Sequence, residues 1–246
     1  MLRDWKKETE ERIAWIRKIL AEAGAKGVVY ANSGGKDCTL VSVLCKKATD
    51  NVVGIILPCC STRNFNIDRD HALLASKKFG IRNIEVDLSP IKLSYVEALS
   101  GIEGIKITDM ALSNINPRLR MITSYAVAHS LDYLVAGTGN RSEATVGYFT
   151  KWGDGAYDFN PIADLTVTEI FEFDRFLGVP DEIIDKAPSA GLWDGQTDEG
   201  ELGITYAAID KYLLKGEASD SDRKKIEDMS ARSAHKRGMP KNYGSD

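Results

Sequence analysis

Cysteine and histidine are scarce in this sequence: its 246 residues include four cysteines and three histidines. Cys38, Cys45, Cys59 and Cys60 form neither a CxxC pair nor the spaced set of a disulfide framework. Structural zinc sites and disulfide-rich scaffolds both depend on such patterns. We therefore expect free thiols and no zinc site.

The sequence also lacks long apolar runs and a strong charge of either sign. No stretch approaches the roughly 20 apolar residues of a membrane span. Residues 1–12 are charged where a secretory signal needs an apolar core, which predicts a cytoplasmic protein with no membrane partner. A formal net charge of -4 offers no general attraction for nucleic acid, so none is expected as a partner. Any binding of phosphate has to be local.

Amphipathic helical stretches instead alternate with short apolar runs. Predicted helices cover residues 4–23, 36–47, 68–79 and 119–130, and predicted strands cover residues 28–31, 51–57, 84–86 and 133–136. This alternation predicts an α/β fold, a parallel twisted sheet flanked by helices, with a ligand crevice at the carboxyl ends of the strands. We expect one catalytic domain over residues 1–246, with a polar and mobile tail over about residues 215–246.

A glycine pair lies between the first predicted strand and the helix that follows it. In Ser33-Gly34-Gly35 the backbone N–H groups and the positive end of the helix dipole converge, and the glycines allow an anion to approach the main chain. A plain strand-to-helix turn is the alternative for the loop by itself. Because the GxxxxGK[ST] spacing is absent, transfer of a terminal phosphoryl group is not the first expectation.

The loop continues as Lys36-Asp37-Cys38, and the run SGGKDC resembles the SGGxDS signature of ATP pyrophosphatases, which split ATP between its α and β phosphates. Further segments resemble motifs of the ammonia-dependent NAD synthetase family in their order and spacing. These segments are residues 114–121, 137–143, 150–156, 161–165, 186–190, 192–193, 195–199 and 235–237. Together they carry the resemblance over almost the whole chain from Ser33, and they imply a Rossmann-like fold of the adenine nucleotide alpha hydrolase type.

The resemblance implies a role for each matching residue. ATP would be bound by Ser33, Gly34, Gly35, Lys36, Asp37, Cys38, Thr138 and Ser189, and Mg²⁺ by Asp37 and Glu143. Deamido-NAD would be contacted by Arg118, Lys151, Asp158, His235 and Lys236, and Asp154 would lie near the ammonia. Position alone, at and beyond the end of the second strand, adds Leu57 and Arg63 as neighbours of ATP.

The implied reaction is the amidation of deamido-NAD with ammonia through an adenylated intermediate, which yields NAD, AMP and pyrophosphate. Mg²⁺ would be the cofactor and ATP a co-substrate. The chain has no spare length for a glutaminase domain, so free ammonia or ammonia from a separate partner is implied. The resemblance also implies a homodimer, with the deamido-NAD site at or near its interface.

Other interpretations stay open at this point. Glu143 and Asp158 are also explained as loop carboxylates, Arg118 and Lys151 as surface cations, and Thr138 and Ser189 as helix caps. His235 and Lys236 equally suit a solvated face. A related ATP pyrophosphatase that acts on another acid or on a nucleic-acid base, or a regulatory protein that only binds a nucleotide, would keep the same loop.

One departure from the family concerns a cation. Val167 stands where the family usually has a lysine that contacts the phosphates of ATP, and Lys36 stands inside the loop where the family often has an apolar or amide residue. The loss of a cation beside developing charge costs several kcal/mol unless another group replaces it. We therefore interpret Lys36 as the substitute, with a catalytic role beside that of Asp154.

Overall fold

The computed structural model describes residues 3–62, 64–186 and 197–244, and within them four parallel strands form one sheet in the order β3-β2-β1-β4. The strands are β1 (Gly27–Ala31), β2 (Val52–Ile56), β3 (Arg82–Glu85) and β4 (Tyr133–Ala136). Val29 is aligned with Val53 on one side and with Val135 on the other. The predicted parallel sheet flanked by helices is confirmed, with β3 displaced by up to two residues from its predicted range.

Helices connect the strands and extend beyond the last of them. Those before β4 are α1 (Trp5–Ala23), α2 (Lys36–Ala48), α3 (Arg69–Phe79), α4 (Ser89–Ser100), α5 (Asp109–Ser113) and α6 (Ile115–Leu131). Those after it are α7 (Arg141–Val146), α8 (Val167–Leu177), α9 (Asp181–Ile184), α10 (Asp198–Leu202), α11 (Tyr206–Lys215) and α12 (Asp220–Ser233). A short π-helix (Asn64–Asp68) precedes α3, and a 3-10 turn (Ala234–Lys236) follows α12.

Alternate side chains of β1 face opposite sides of the sheet, as the two-residue period of a strand requires. Val28 and Tyr30 join the apolar cluster under α1, α2 and α8, whereas Val29 joins the cluster under α6. All three side chains are buried. A continuous apolar run such as residues 28–31 therefore indicates a strand that is covered on both faces.

The amino-terminal helix is capped and anchored by polar contacts. The Asp4 carboxylate accepts hydrogen bonds from the backbone N–H groups of Lys6 and Lys7, and Gly24 ends the helix in the left-handed conformation at φ 63°. Arg12 forms an ion pair of 2.7 Å with Asp164, which ties α1 to the segment before α8. The predicted helix over residues 4–23 matches this element, with Asp4 as its cap.

The segment beyond Lys215, expected from its polar composition to be a mobile tail, contains α12 and the 3-10 turn. Ile226 of α12 is buried in an apolar cluster with Val146, Val167 and Tyr206. Ile226 and the partly buried Met229 anchor α12 to this cluster. So few apolar residues in a charged segment do not predict a packed helix from the sequence. Among the described residues, no helix combines the length and the apolar character needed to cross a membrane.

Candidate active site

The glycine loop lies at the carboxyl end of β1, directly before α2, as the sequence predicts. Gly34 has φ 64°, and a Cβ atom on it would lie 2.2 Å from the carbonyl oxygen of Asp68 and 2.7 Å from the nitrogen of Ala72. The loop and the start of α3 are thus in backbone contact. The start of α2 lines a cavity, and the free N–H groups of a helix start suit an anion.

A cavity of about 480 Å³ opens at this edge of the sheet. The predicted residues that line it are Ser33, Gly35, Lys36, Asp37, Cys38, Leu57, Thr138, Glu143, Asp154 and Lys236. Gly34, Arg118, Lys151, Asp158 and His235 do not line it, although Gly34 belongs to the same loop. Arg63 and Ser189 lie outside the described residues. The structure therefore gathers residues from the ends of β1, β2 and β4 around one cavity.

Asn140 donates hydrogen bonds to the carboxylates of both Asp37 and Glu143. The Asn140 side chain donates to Asp37 Oδ1 at 3.1 Å, and its backbone N–H donates to Glu143 Oε2 at 3.0 Å. Asn140 also caps α7 by accepting from the backbone N–H of Glu143 at 2.9 Å. Burial and the adjacent negative charge of Asp37 raise the pKa of Glu143 well above its usual range.

This carboxylate pair fits a Mg²⁺ site that is completed by substrate oxygens. Mg²⁺ in nucleotide enzymes takes one or two protein carboxylates, together with phosphate oxygens and water. A cation between Asp37 and Glu143 would relieve the repulsion that raises the pKa of Glu143. In the described parts of the chain, no cluster of three or more Asp, Glu, His or Cys side chains could hold a metal unaided.

Lys36 is buried beside this pair, with its ammonium 2.5 Å from Asp37 Oδ2. Burial lowers the pKa of Lys36, but Asp37, Glu143 and Asp174 together more than offset it, so that the pKa is raised. Lys36 therefore remains an ammonium at the edge of the cavity. Val167, by contrast, is buried in an apolar cluster and does not line the cavity.

Cys38 packs into the base of the loop and does not have the features of a nucleophile. Its Sγ lies 3.2 Å from the Gly35 carbonyl oxygen and 3.4 Å from Ser33 Oγ. Burial raises the pKa of the Cys38 thiol. A thiol that stays protonated in this position serves packing and a weak hydrogen bond.

Asp154 also lines the cavity. Its Oδ1 accepts a hydrogen bond from the Thr150 backbone N–H at 2.9 Å. The carboxyl group is exposed to the cavity but is surrounded by protein, and this burial raises the pKa of Asp154. A carboxylate with a raised pKa is a better proton acceptor near neutral pH.

Arg120 and Lys186 also line the cavity, and the sequence interpretation missed both. Arg120 donates to the Leu57 carbonyl at 3.2 Å and to Asn64 Oδ1 at 3.0 Å. Lys186 donates to the Gly34 carbonyl at 3.1 Å and pairs with Asp68 at 2.8 Å. Arg120 and Lys186 belong to residues 114–121 and 186–190, which resemble family motifs, and this membership is their signal in the sequence. Whether each side chain points into the cavity depends on how α6 and the end of α9 pack.

Four of the five residues expected to contact deamido-NAD fall into two groups, one of three residues and one of Lys236 alone. Arg118 donates to the Lys151 carbonyl at 3.4 Å, and Lys151 donates to the His235 carbonyl at 2.7 Å, so these three lie together outside the cavity. Lys236 donates to the carbonyls of Gly147 and Phe149, both at 2.9 Å, at the rim of the cavity.

Asp158 lies apart from both groups. Its Oδ2 accepts from the backbone N–H of Val135 in β4 at 2.7 Å, and its Oδ1 accepts from the Tyr125 hydroxyl at 3.2 Å. Both oxygens of this carboxylate are thus engaged within the fold.

Comparison with known proteins places these features in one family. A family model described as NAD synthase matches residues 8–240. An NH3-dependent NAD+ synthetase from Carboxydothermus hydrogenoformans is 46% identical over 238 residues, which cover 96% of this chain and 97% of that protein. Among solved structures, an NMN synthetase from Francisella tularensis has a TM-score of 0.93 at 32% identity, covering 99% of this chain and 100% of the other.

An NH3-dependent NAD synthetase from Campylobacter jejuni has a TM-score of 0.80 at 27% identity, covering 98% and 99% of the two chains. These likenesses confirm the fold type expected from the sequence motifs, that of the adenine nucleotide alpha hydrolases. The family model matches nearly the full length of the chain, which also has a glycine loop at the carboxyl end of β1 and two carboxylates beside it. The chain therefore belongs to the NAD synthase family.

Proposed function

We propose that this protein amidates deamido-NAD with ammonia, using ATP, and releases NAD, AMP and pyrophosphate. The observation that carries the proposal is the pairing of Asp37 with Glu143 through Asn140, beside a glycine loop at the carboxyl end of β1. Family membership and the 46% identical NH3-dependent NAD+ synthetase support the same reaction. Arg63 and Ser189 remain proposed neighbours of ATP.

The reaction needs a leaving group on an unreactive carboxylate. An oxygen of the nicotinate carboxylate forms a bond to the α-phosphorus of ATP as the bond to pyrophosphate breaks, which yields a mixed anhydride with AMP. Ammonia then adds to the carboxyl carbon, AMP leaves, and one proton is released. Mg²⁺, held by Asp37 and Glu143, would supply positive charge against the polyphosphate. The glycine loop, Lys36 and Lys186 would orient the phosphates and contribute further positive charge.

The test measures products with purified protein, ATP, deamido-NAD and either ammonium or glutamine. We expect NAD, AMP and pyrophosphate in equal amounts with ammonium, and no NAD with glutamine alone. Formation of ADP would contradict the proposal, because it places the break at the terminal phosphate.

A second acid substrate is proposed beside deamido-NAD because one similar solved structure, 32% identical, is an NMN synthetase. The TM-score of 0.93 with the NMN synthetase exceeds the 0.80 with the NH3-dependent NAD synthetase from Campylobacter jejuni. The corresponding acid is nicotinate mononucleotide, which carries the same reacting carboxylate without the adenylate half. Values of kcat/KM for the two acids in competition decide between them: a preference for the mononucleotide replaces deamido-NAD as the substrate and leaves the adenylation chemistry intact.

Asp154 is the proposed acceptor for the proton that ammonium must lose before it reacts. Replacing Asp154 with asparagine keeps the size of the side chain and removes its basicity. We expect the apparent KM for ammonium to rise, or kcat to fall, by about 10²-fold, with formation of the adenylate measured by pyrophosphate exchange nearly unchanged. Wild-type ammonium kinetics in this variant would contradict the role.

We further propose a homodimer formed through α4 and the adjoining surface. No side chain of α4 is buried in the single chain, and Leu93 is 63% exposed, with Ile91 and Tyr95 also exposed. Ile91 and Tyr95 are one helical turn apart and share a face of α4, and exposed apolar side chains of this kind are typical of a subunit interface. Sedimentation should give twice the chain mass of 27.1 kDa, and a monomer at micromolar concentration would contradict the proposal.

A further inference from the structure

Asp174 in α8 is a fully buried carboxyl group that forms no hydrogen bond. The residue is 0% exposed, and neither of its carboxylate oxygens has a hydrogen-bond partner. Buried polar groups in folded proteins are almost always hydrogen-bonded, and buried charges are almost always paired. The side chain does not line the cavity, so solvent there does not account for it.

Of the two cations that act on Asp174, Lys36 has the larger effect, ahead of Arg175. Phe171 and Asp174 are three residues apart in α8 and therefore share one face of the helix, and the Lys36 ammonium lies 5.5 Å from the centroid of the Phe171 ring. Burial and then the charge of Asp37 raise the pKa of Asp174 well above its usual range, and the Lys36 ammonium opposes that rise. Asp174 in turn contributes to the raised pKa of Lys36. Lys36 lines the cavity, whereas Asp174 does not.

The Lys36 ammonium contacts the Asp37 carboxylate, which is also the proposed ligand of the divalent cation. Both carboxylate oxygens of Asp37 are engaged, Oδ2 by the Lys36 ammonium and Oδ1 by the Asn140 amide. A divalent cation bound to Asp37 would meet the ammonium at close range, where two positive charges repel strongly in a buried site. Metal binding at Asp37 therefore requires the ammonium to move.

We propose that Asp174 is the second anchor of Lys36, a positioning residue that receives the ammonium when a divalent cation takes Asp37. The inference rests on the proposed function in its assignment of Asp37 to the metal. In the metal-free protein the lysine pairs with Asp37, and in the loaded protein it pairs with Asp174 while its charge stays beside the phosphate loop. This arrangement supplies a cation close to the phosphates in a chain that has Val167 where its family usually has lysine.

Binding of Mn²⁺ alone tests this exchange, with the free ion measured by electron paramagnetic resonance. The set comprises the wild type, Asp174→Asn, Lys36→Met and the double variant. Without its second anchor the ammonium stays on Asp37, so Asp174→Asn should weaken Mn²⁺ binding at least about tenfold. Lys36→Met removes the competing cation and should tighten binding, and adding Asp174→Asn to it should change the affinity less than about twofold.

Glu172→Gln is the matched control, because it removes the same charge from an exposed position on the same helix. It should leave Mn²⁺ affinity unchanged, and a thermal unfolding midpoint for each variant separates folding from binding. Equal Mn²⁺ affinities in the wild type and Asp174→Asn would overturn the proposal, as would an equal weakening in the Lys36→Met background.

If Asp174→Asn does not fold, Lys36→Met alone decides: affinity at or below that of the wild type overturns the exchange. Absence of Mn²⁺ binding in every variant also overturns it. The titration contains neither ATP nor an acid substrate, so a wrong assignment of the reaction leaves its outcome untouched.

Discussion

Replacing Asp37 with asparagine should abolish most of the activity, with a fall in kcat of about 10²–10³-fold. The asparagine keeps the size of the side chain and loses the negative charge that pairs with Lys36 and faces Glu143. The variant should therefore lose both metal affinity and the alignment of the lysine. Release of AMP and pyrophosphate, measured at saturating ATP and acid substrate, provides the readout.

A matched control removes the same charge from a nearby surface. Asp70 lies in the first turn of α3 and is exposed, so Asp70→Asn should retain wild-type rates. Raising the concentration of Mg²⁺ should recover part of the activity of Asp37→Asn, since Glu143 remains. Wild-type kcat in Asp37→Asn would remove this carboxylate from the proposed mechanism.

Replacing Gly34 with alanine should destabilise the protein and prevent ATP binding. The residue has φ 64°, and the added Cβ would lie 2.2 Å from the Asp68 carbonyl oxygen, which is backbone and cannot rotate away. An L-residue in the left-handed region costs about 1–2 kcal/mol before this contact is counted. We expect a lower thermal unfolding midpoint and no ATP binding by calorimetry.

The neighbouring glycine separates backbone strain from phosphate approach. Gly35 has φ -94°, and a Cβ atom there would meet only Ser33 Oγ, at 3.5 Å. Gly35→Ala should fold with a nearly unchanged midpoint, so any loss of ATP affinity would report the space that the phosphates need at the start of α2. An unfolding midpoint of Gly34→Ala equal to that of Gly35→Ala would contradict the strain argument.

Much of the sheet could be predicted because its signals are local. The runs at residues 28–31 and 133–136 are short, apolar and bounded by polar or glycine residues, and both form strands at those positions or within one residue of them. The third strand begins two residues before its predicted start, since Arg82 and Asn83 pair with β2 despite their polar side chains. Main-chain pairing with a neighbouring strand decided that boundary.

The candidate site was predicted unevenly. The glycine loop and Glu143 lie in contiguous motifs after strands, and both line the cavity as expected of residues at the carboxyl ends of parallel strands. The family resemblance implies a role for Arg118 and none for Arg120, whereas of the two only Arg120 lines the cavity. Two residues apart on a helix, these arginines point in different directions, and the packing of α6 determines which of them enters the site.

By itself the sequence determined the parallel α/β sheet, the phosphate loop and the family, because hydrophobic period, glycine positions and motif spacing are properties of the chain. Tertiary structure alone decided that Asn140 joins Glu143 to Asp37, and that the buried Asp174 of α8 contributes to the raised pKa of Lys36 in α2. Asn140 is 103 residues from Asp37, and Asp174 is more than 100 residues from Lys36, so only the closure of the fold brings these pairs together. No local pattern encodes such an approach, since it follows from the closure of the whole fold.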